Sequence, residues 1–280
     1  MSVETLKVKI LVENRVAKEN LLAEHGLSFL ISYQGENYLL DTGQGLVLIN
    51  NMNNLGIEVS DIDGVILSHG HYDHGNGLKD ILALNSEIEV YAHPESFRVK
   101  YSKKGDDLVL RGLNINREEI KNFNSIEEAT EIIEGLWLTG KIARINDGEI
   151  ISKKFKKEVE GTIEEDGFSD DQSVFIETEQ GLVVLLACTH AGVINTLEYI
   201  KKISEGQKIR AIIGGMHLIN ASQKRINETV DYLDHLDFEL IVPLHCTGFK
   251  AMKAMIEKFR DKVKLGEVGE EFIFNISEGK

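Results

Sequence analysis

Cysteine is nearly missing from this sequence: Cys188 and Cys246 are its whole supply. Two thiols cannot build a disulfide scaffold, and so small a supply points to a reducing compartment. Proline is equally scarce, at two residues, and no low-complexity tract occurs, which excludes a collagen-like or linker-dominated chain. No apolar run approaches the roughly 18 residues of a membrane-spanning helix. The opening Met1-Ser2-Val3-Glu4-Thr5-Leu6-Lys7 lacks the basic and apolar regions of a signal peptide, so a cytoplasmic protein without a membrane partner is expected. Positive charge is also short: 31 Lys and Arg face 46 Asp and Glu, a net charge of −15. A nucleic-acid backbone is gripped through many cationic contacts, so nucleic acid is not expected as a partner. A small phosphorylated substrate needs only a local basic patch and stays open. What is present, 280 residues of which 42% are hydrophobic, suits one domain over 1–280 that buries about three quarters of its unfolded surface.

Hydrophobic periodicity divides the chain. Strands are expected at Val8–Val12, Leu27–Tyr33 and Tyr38–Leu40, the last two joined by a turn at Gly35-Glu36-Asn37. A helix over 46–55, a buried strand at Gly64–Ser68 and a strand from Val90 to Ala92 follow. Residues 95–165 are rich in Lys and Glu with weak periodicity, and read as an inserted cap segment. Beyond them, Val174–Thr178 and Leu182–Ala187 are expected to pair as a hairpin. Helices are then expected over 193–203, 222–236 and 249–260, the last with Phe249, Met252, Ile256 and Phe259 inward. Strands at Arg210–Ile213, Leu240–Val242 and Glu271–Phe274 alternate with them. Sheets covered by helices give a layered α/β class.

Histidine is rare, nine in the chain, yet three fall within six residues in His69-Gly70-His71-Tyr72-Asp73-His74. Chance would supply such a run in on the order of one chain in a thousand. The run leaves a strand, where alternate residues share a side, so His69 and His71 can hold one cation. Asp73 and His74 can then serve a second position about 3.5–4 Å away. Imidazole with carboxylate suits zinc first, with manganese or iron as alternatives, in one or two ions.

The run His69-Gly70-His71-Tyr72-Asp73-His74-Gly75 resembles the signature of the metallo-β-lactamase superfamily. Leu40-Asp41-Thr42-Gly43 is similar to that family's early aspartate, and Val242-Pro243-Leu244-His245 to its late strand-end histidine. The resemblance implies a four-layer αββα sandwich, a metal-dependent hydrolase, ligands His69, His71, Asp73, His74 and His245, and an Asp41 that orients the ligand loop. His71 stands where relatives that reduce oxygen or nitric oxide carry Glu, which favours hydrolysis.

The chain also departs from the pattern. The family's histidine before the hairpin falls near Ser169-Asp170-Asp171-Gln172, where there is none. The family's bridging aspartate falls at Cys188-Thr189-His190, so His190 is taken as a ligand in its place. An imidazole normally gives one nitrogen to one metal, whereas a carboxylate can bridge two. The second ion position is therefore expected to be weak, or to be filled by Asp170 or Asp171. His217, in Gly214-Gly215-Met216-His217-Leu218, is expected at the same edge as a ligand or substrate contact. His25, His93 and His235 are read as surface or cap residues. A thiolate at 188 or 246 could bind a metal, but small cysteines packing strand ends are the commoner arrangement and the one expected.

These motifs, with His25-Gly26-Leu27-Ser28 and His245-Cys246-Thr247-Gly248, resemble one prokaryotic branch of the superfamily. One archaeal type in that branch is a synthase joining a dihydropterin diphosphate to a ribofuranosylaminobenzene phosphate. Metal-assisted hydrolysis of a small substrate, phosphorylated or not, is the leading expectation, with Asp73 as the catalytic residue that orients water and carries a proton. A transferase displacing diphosphate, with a flat ring stacked on Trp137 or Tyr101, is the first alternative. A non-catalytic metal-binding protein is the second. Arg144 is the cap-segment cation expected to meet an anionic substrate, while Arg98, Lys100, Lys103 and Lys104 read as a solvated face.

Overall fold

The computed structural model describes residues 5–276; Met1–Glu4, within the opening read for a signal peptide, lie outside the described residues. Strands β1 (Thr5–Val12), β2 (Ser28–Tyr33), β3 (Glu36–Leu40), β4 (Gly64–Ile66) and β5 (Glu89–Ala92) occupy the first third of the chain. Strands β6 (Lys100–Lys104), β7 (Asp107–Leu110), β8 (Asn122–Ser125), β9 (Thr130–Ile133) and β10 (Leu136–Leu138) follow. Next come β11 (Phe155–Val159), β12 (Thr162–Glu165), β13 (Val174–Ile176), β14 (Leu182–Leu186), β15 (Ile209–Gly215), β16 (Leu240–Leu244) and β17 (Glu271–Asn275). The α-helices are α1 (Leu48–Asn54), α2 (Tyr72–Gly75), α3 (Leu78–Leu84), α4 (Val193–Ile203), α5 (Gln223–Asp234) and α6 (Phe249–Phe259).

Seven strands make one sheet in the order β17-β1-β2-β3-β4-β5-β8, and six make a second in the order β16-β15-β14-β13-β10-β9. Leu6, Val8, Phe29 and Ile31 of the first sheet meet Val174, Val183, Leu185 and Ile213 of the second in a core between them. The opposite face of the second sheet, through Val184, Leu186 and Ile212, buries Leu197 of α4, Leu233 of α5 and Met255 of α6. The outer face of the first sheet covers Leu48 and Met52 of α1 and Ile81 of α3. This is the αββα sandwich. Its central strands are buried on both faces, which is why Leu182–Leu186 reads as an unbroken apolar run rather than an alternation. Each such fully buried aliphatic side chain contributes roughly 1.5–3 kcal/mol. The hairpin forms as expected, with Val174 opposite Leu185. The parallel pairs β14-β15 and β15-β16 are spaced by α4 and α5, as parallel crossovers require.

Two expectations fail here. Residues 95–165 are not one continuous cap. Strands β6 and β7 pair with β11 and β12 in a separate four-stranded sheet, but between them β8 extends the first core sheet beside β5. Strands β9 and β10 likewise edge the second sheet, with Leu136 opposite Ile176. Short edge strands tolerate charge, which hid this return to the core behind a surface-like composition. The second failure is on α6. Its buried positions are Ala251, Met255 and Phe259, while Phe249 is 81% exposed and Ile256 40%. The helix carries two adjacent apolar stripes, and the sheet takes only one.

Candidate metal centre

The ligand loop is built on a buried carboxylate. Asp41 directly follows β3 with a positive φ of 62°, fully buried. Its Oδ1 accepts the Ser68 N–H at 2.8 Å, and its Oδ2 accepts the Ser68 hydroxyl at 2.7 Å and lies 2.6 Å from His74 Nδ1. The single Ser68 hydrogen is thereby committed to Asp41, so the 2.9 Å contact between Ser68 Oγ and His69 Nδ1 needs its proton from the ring. One carboxylate thus sets the tautomers of two histidines, leaving the lone pairs of both Nε2 atoms aimed inward. Between His69 and His71 the loop passes so close to Ser96 that a Cβ on Gly70 would lie 1.9 Å from its carbonyl oxygen. The Gly70 N–H is held by Asp170 Oδ2 at 2.8 Å, and Asp170 is held in turn by the buried Lys100, which also bonds Asp166.

His69, His71 and His190 each have a buried Nε2 without a hydrogen-bond partner, and all three can present nitrogens within 4.8 Å of one another. Burial holds His69 and His190 well below the ordinary imidazole range and pushes His71 down to about 3. All three rings are therefore neutral at physiological pH, the form that binds a cation. Such orphaned nitrogens are costly unless something occupies the space between them.

A second group adjoins the first. His74 Nε2 and His245 Nε2 lie 3.2 Å apart. His245 Nδ1 faces Asn14 Oδ1 at 3.1 Å, an oxygen oriented by the Gly26 N–H, and the His245 N–H donates to Glu13. With both Nδ1 atoms turned to oxygen acceptors, two lone pairs confront each other, which requires a proton or a cation between them. Burial alone would lower His74, but the Asp41 carboxylate outweighs it and raises the ring to about 9. Asp73 Oδ2 sits 3.5 Å from His245 Nε2 and 3.2 Å from His25 Nε2. Burial would raise Asp73, yet the facing His245 and His25 rings hold it well below the carboxylate range.

The geometry brings His69, His71, Asp73, His74, His190 and His245 together, with Asp41 behind them. His217 joins at the rim, its ring 4.2 Å from that of His190 and its Nδ1 unpartnered. Thr189, His217 and His245 all have positive φ, a strain of about 1–3 kcal/mol each that concentrates at this edge. Donors come from strand ends of both sheets, and the cap sheet adds Phe155, packed on His71 and His190.

Several expectations change. Asp170 is spent on Lys100 and Gly70, while Asp171 gives Oδ2 to the Ala191 N–H and keeps a buried Oδ1 without a partner; neither falls among the clustered donors. Burial lifts Asp171 to about 7. Lys100 is not part of a solvated face but the centre of a buried ion triad. Arg144 donates to the His190 carbonyl at 2.8 Å and so braces that residue from behind. Trp137 stacks on Phe175 on the helix-covered side of the second sheet, away from the histidines. His93 accepts the Glu95 N–H in a short turn but is buried rather than a surface residue, and His235 is exposed. His25, in contrast, belongs to the site through Asp73. The two cysteines also do more than pack strand ends: Cys188 Sγ lies 3.3 Å from His74 Nε2 and 3.3 Å from Cys246 Sγ. Only their placement beside ligand histidines in the sequence hinted at this.

Three orphaned imidazoles, two opposed ring nitrogens and a charged carboxylate are a donor set that fits a divalent cation. The metallo-β-lactamase superfamily profile matches residues 22–183. The chain belongs to that superfamily. A synthase of Methanocaldococcus jannaschii, named for 7,8-dihydropterin-6-methyl-4-(β-D-ribofuranosyl)-aminobenzene-5′-phosphate, is 31% identical over 277 residues, covering 92% of this chain and 93% of its own. An uncharacterised protein of the same archaeon is 35% identical, covering 88% of this chain and 92% of its own. A crystal structure described as a metal-dependent hydrolase of the β-lactamase superfamily superposes with a TM-score of 0.82 at 30% identity, over 95% of this chain and 98% of the other.

Proposed function

We propose that this superfamily member is a metal-dependent hydrolase acting on a small anionic substrate. The reading rests on the convergence of ring nitrogens from His69, His71 and His190, each with an unpartnered Nε2, beside the Asp73, His74 and His245 group. A divalent cation, zinc foremost, would be held by these residues and would supply Lewis acidity to activate water. The protein's own part is to fix the rings and to hold charge. Asp41 keeps two imidazoles in the ligating tautomer, and Arg144 and Asp171 hold the His190 segment. Asp73 stays ionised inside the site, where it accepts a hydrogen bond from water and takes up its proton. Phe155 and Phe168, against the rings of His71 and His190, exclude bulk water from that side.

Two cavities flank the histidines and suggest the shape of the substrate. One, of about 310 Å³, is lined by His190, His217, Phe155, Lys154 and Arg225, and its cations suit a phosphate. The other, of about 700 Å³, begins at His245 and runs along Ile219, Phe249, Met252, Ile256 and Leu265, and suits an apolar ring. The test is turnover of phosphate and diphosphate esters by protein stripped of metal and then reloaded. Activity lost on stripping and regained with zinc supports the reading; full turnover by a verified metal-free sample overturns it.

The separate cavities also favour a second reading, displacement of diphosphate by an amine-bearing second substrate, in line with the name of the archaeal relative. Pyrophosphate release from a dihydropterin diphosphate that depends on a ribofuranosylaminobenzene phosphate supports transfer; release without it supports hydrolysis.

A further inference from the structure

The sequence leaves the two ion positions without a shared ligand, because His190 stands where a bridging carboxylate was expected and neither Asp170 nor Asp171 falls among the clustered donors. One atom lies where such a ligand would be. The sulfur of Cys188 is within 4.8 Å of ligating atoms of His69 and His74, of His190 and His217, and of His245 and Cys246. Among the described residues it is the donor common to these groups, and it stands between the half of the site from the first sheet and the half from the second. Cys188 ends the segment after β14, two residues before His190, and is 3% exposed. Its neighbour Cys246 is differently placed: that sulfur already accepts the His217 N–H at 3.2 Å and the Cys188 S–H.

We propose that Cys188 is a metal ligand of this centre and serves as the group shared between its two ion positions, a thiolate doing the work of the absent aspartate. The proposal rests on the metal-dependent reading above. Its chemistry follows from the donor. A thiolate sulfur has several lone pairs, so it can bond two cations at once, which a neutral imidazole cannot. Zinc–sulfur bonds run to about 2.3 Å, and a site 3.3 Å from His74 Nε2 leaves an ion room to bond both. The S–H bond breaks as the ion enters, the pair of electrons stays on sulfur, and the proton leaves to solvent. A soft ligand at the centre biases the site toward zinc, cobalt and cadmium over manganese and magnesium.

Cobalt(II) is the probe. Metal-free protein reloaded with cobalt is expected to bind up to two ions per chain and to show thiolate-to-cobalt charge-transfer absorption in the near ultraviolet. Cys246→Ser should keep that absorption and Cys188→Ser should lose it. Cys188→Asp should again bind two ions, now without the absorption, and this variant guards against a loss that comes only from misfolding. Failure to bind any cobalt would end both the metal-dependent reading and this one. Two bound cobalt ions without charge-transfer absorption would overturn the thiolate and leave the metal-dependent reading standing. Absorption that survives Cys188→Ser but vanishes in Cys246→Ser would also overturn it.

Discussion

The carboxylate of Asp41 lies 2.6 Å from Nδ1 of His74, and through the Ser68 hydroxyl it also reaches Nδ1 of His69. Replacing it with asparagine puts an amide where the acceptor stood, so both rings lose the partner that fixes their tautomer. Asp41→Asn is expected to weaken metal binding 10- to 100-fold, roughly the usual effect of losing a ligand's supporting partner. Competition with a chelator of known affinity measures it; an unchanged affinity would refute the role given to Asp41.

Asp73 faces His245 and His25 with its charge retained despite burial. Asp73→Asn should reduce turnover by at least about 100-fold, the lower end of what a positioned acid–base group contributes. Its circular dichroism should match the parent. A variant with near-normal kcat would remove Asp73 from the chemistry.

Lys100 is buried between Asp166 and Asp170, at 2.8 Å from each. Lys100→Met leaves two buried carboxylates without their cation, and should cost about 3–5 kcal/mol in urea unfolding. The pair also sets a pH dependence. Burial would raise Asp170, but Lys100 holds it below the ordinary carboxylate range. That stability is present above the unfolded value near 4 and is lost as pH falls through the folded one. Burial would lower Lys100, but the two aspartates raise it. Its share is present below about 10.4 and lost as pH rises through the folded value. The variant should show neither dependence when stability is followed against pH.

Phe249 stands almost free on α6 and lines the apolar cavity beside His245. Phe249→Ala should change stability by less than about 0.5 kcal/mol, as exposed positions do. With a ring-bearing substrate KM should rise while kcat holds, the pattern of lost uniform binding. A fall in kcat alone, measured in steady state, would contradict the assignment of that cavity.

The sandwich was legible because burial on both sheet faces and on helix stripes writes a strong periodicity: α4 has the bounds its Val193, Ile194, Leu197, Ile200 and Ile203 spacing requires. The His69–His74 run was legible because its donors are local. What was hidden depends on distance in the chain. Nothing near His25 announces Asp73, 48 residues on. Cys188 looked like a packing residue because its partner His74 is 114 residues away. Strands β9 and β10 were masked by Glu131 and Thr130, which an edge strand can turn to water. On α6 two apolar stripes were both present, and periodicity alone does not say which one a sheet will cover.

His69, His71 and His74 hang from one sheet, while Cys188, His190 and His245 hang from the other. An ion gripped by both sets is a rivet across the sandwich, binding the folded protein and not the unfolded chain. At a free zinc concentration 1,000 times the dissociation constant it would add about 4 kcal/mol to stability. Chelation should therefore loosen the two halves from this edge inward, and calorimetry would register the ion as a mechanical part of the protein as well as a chemical one.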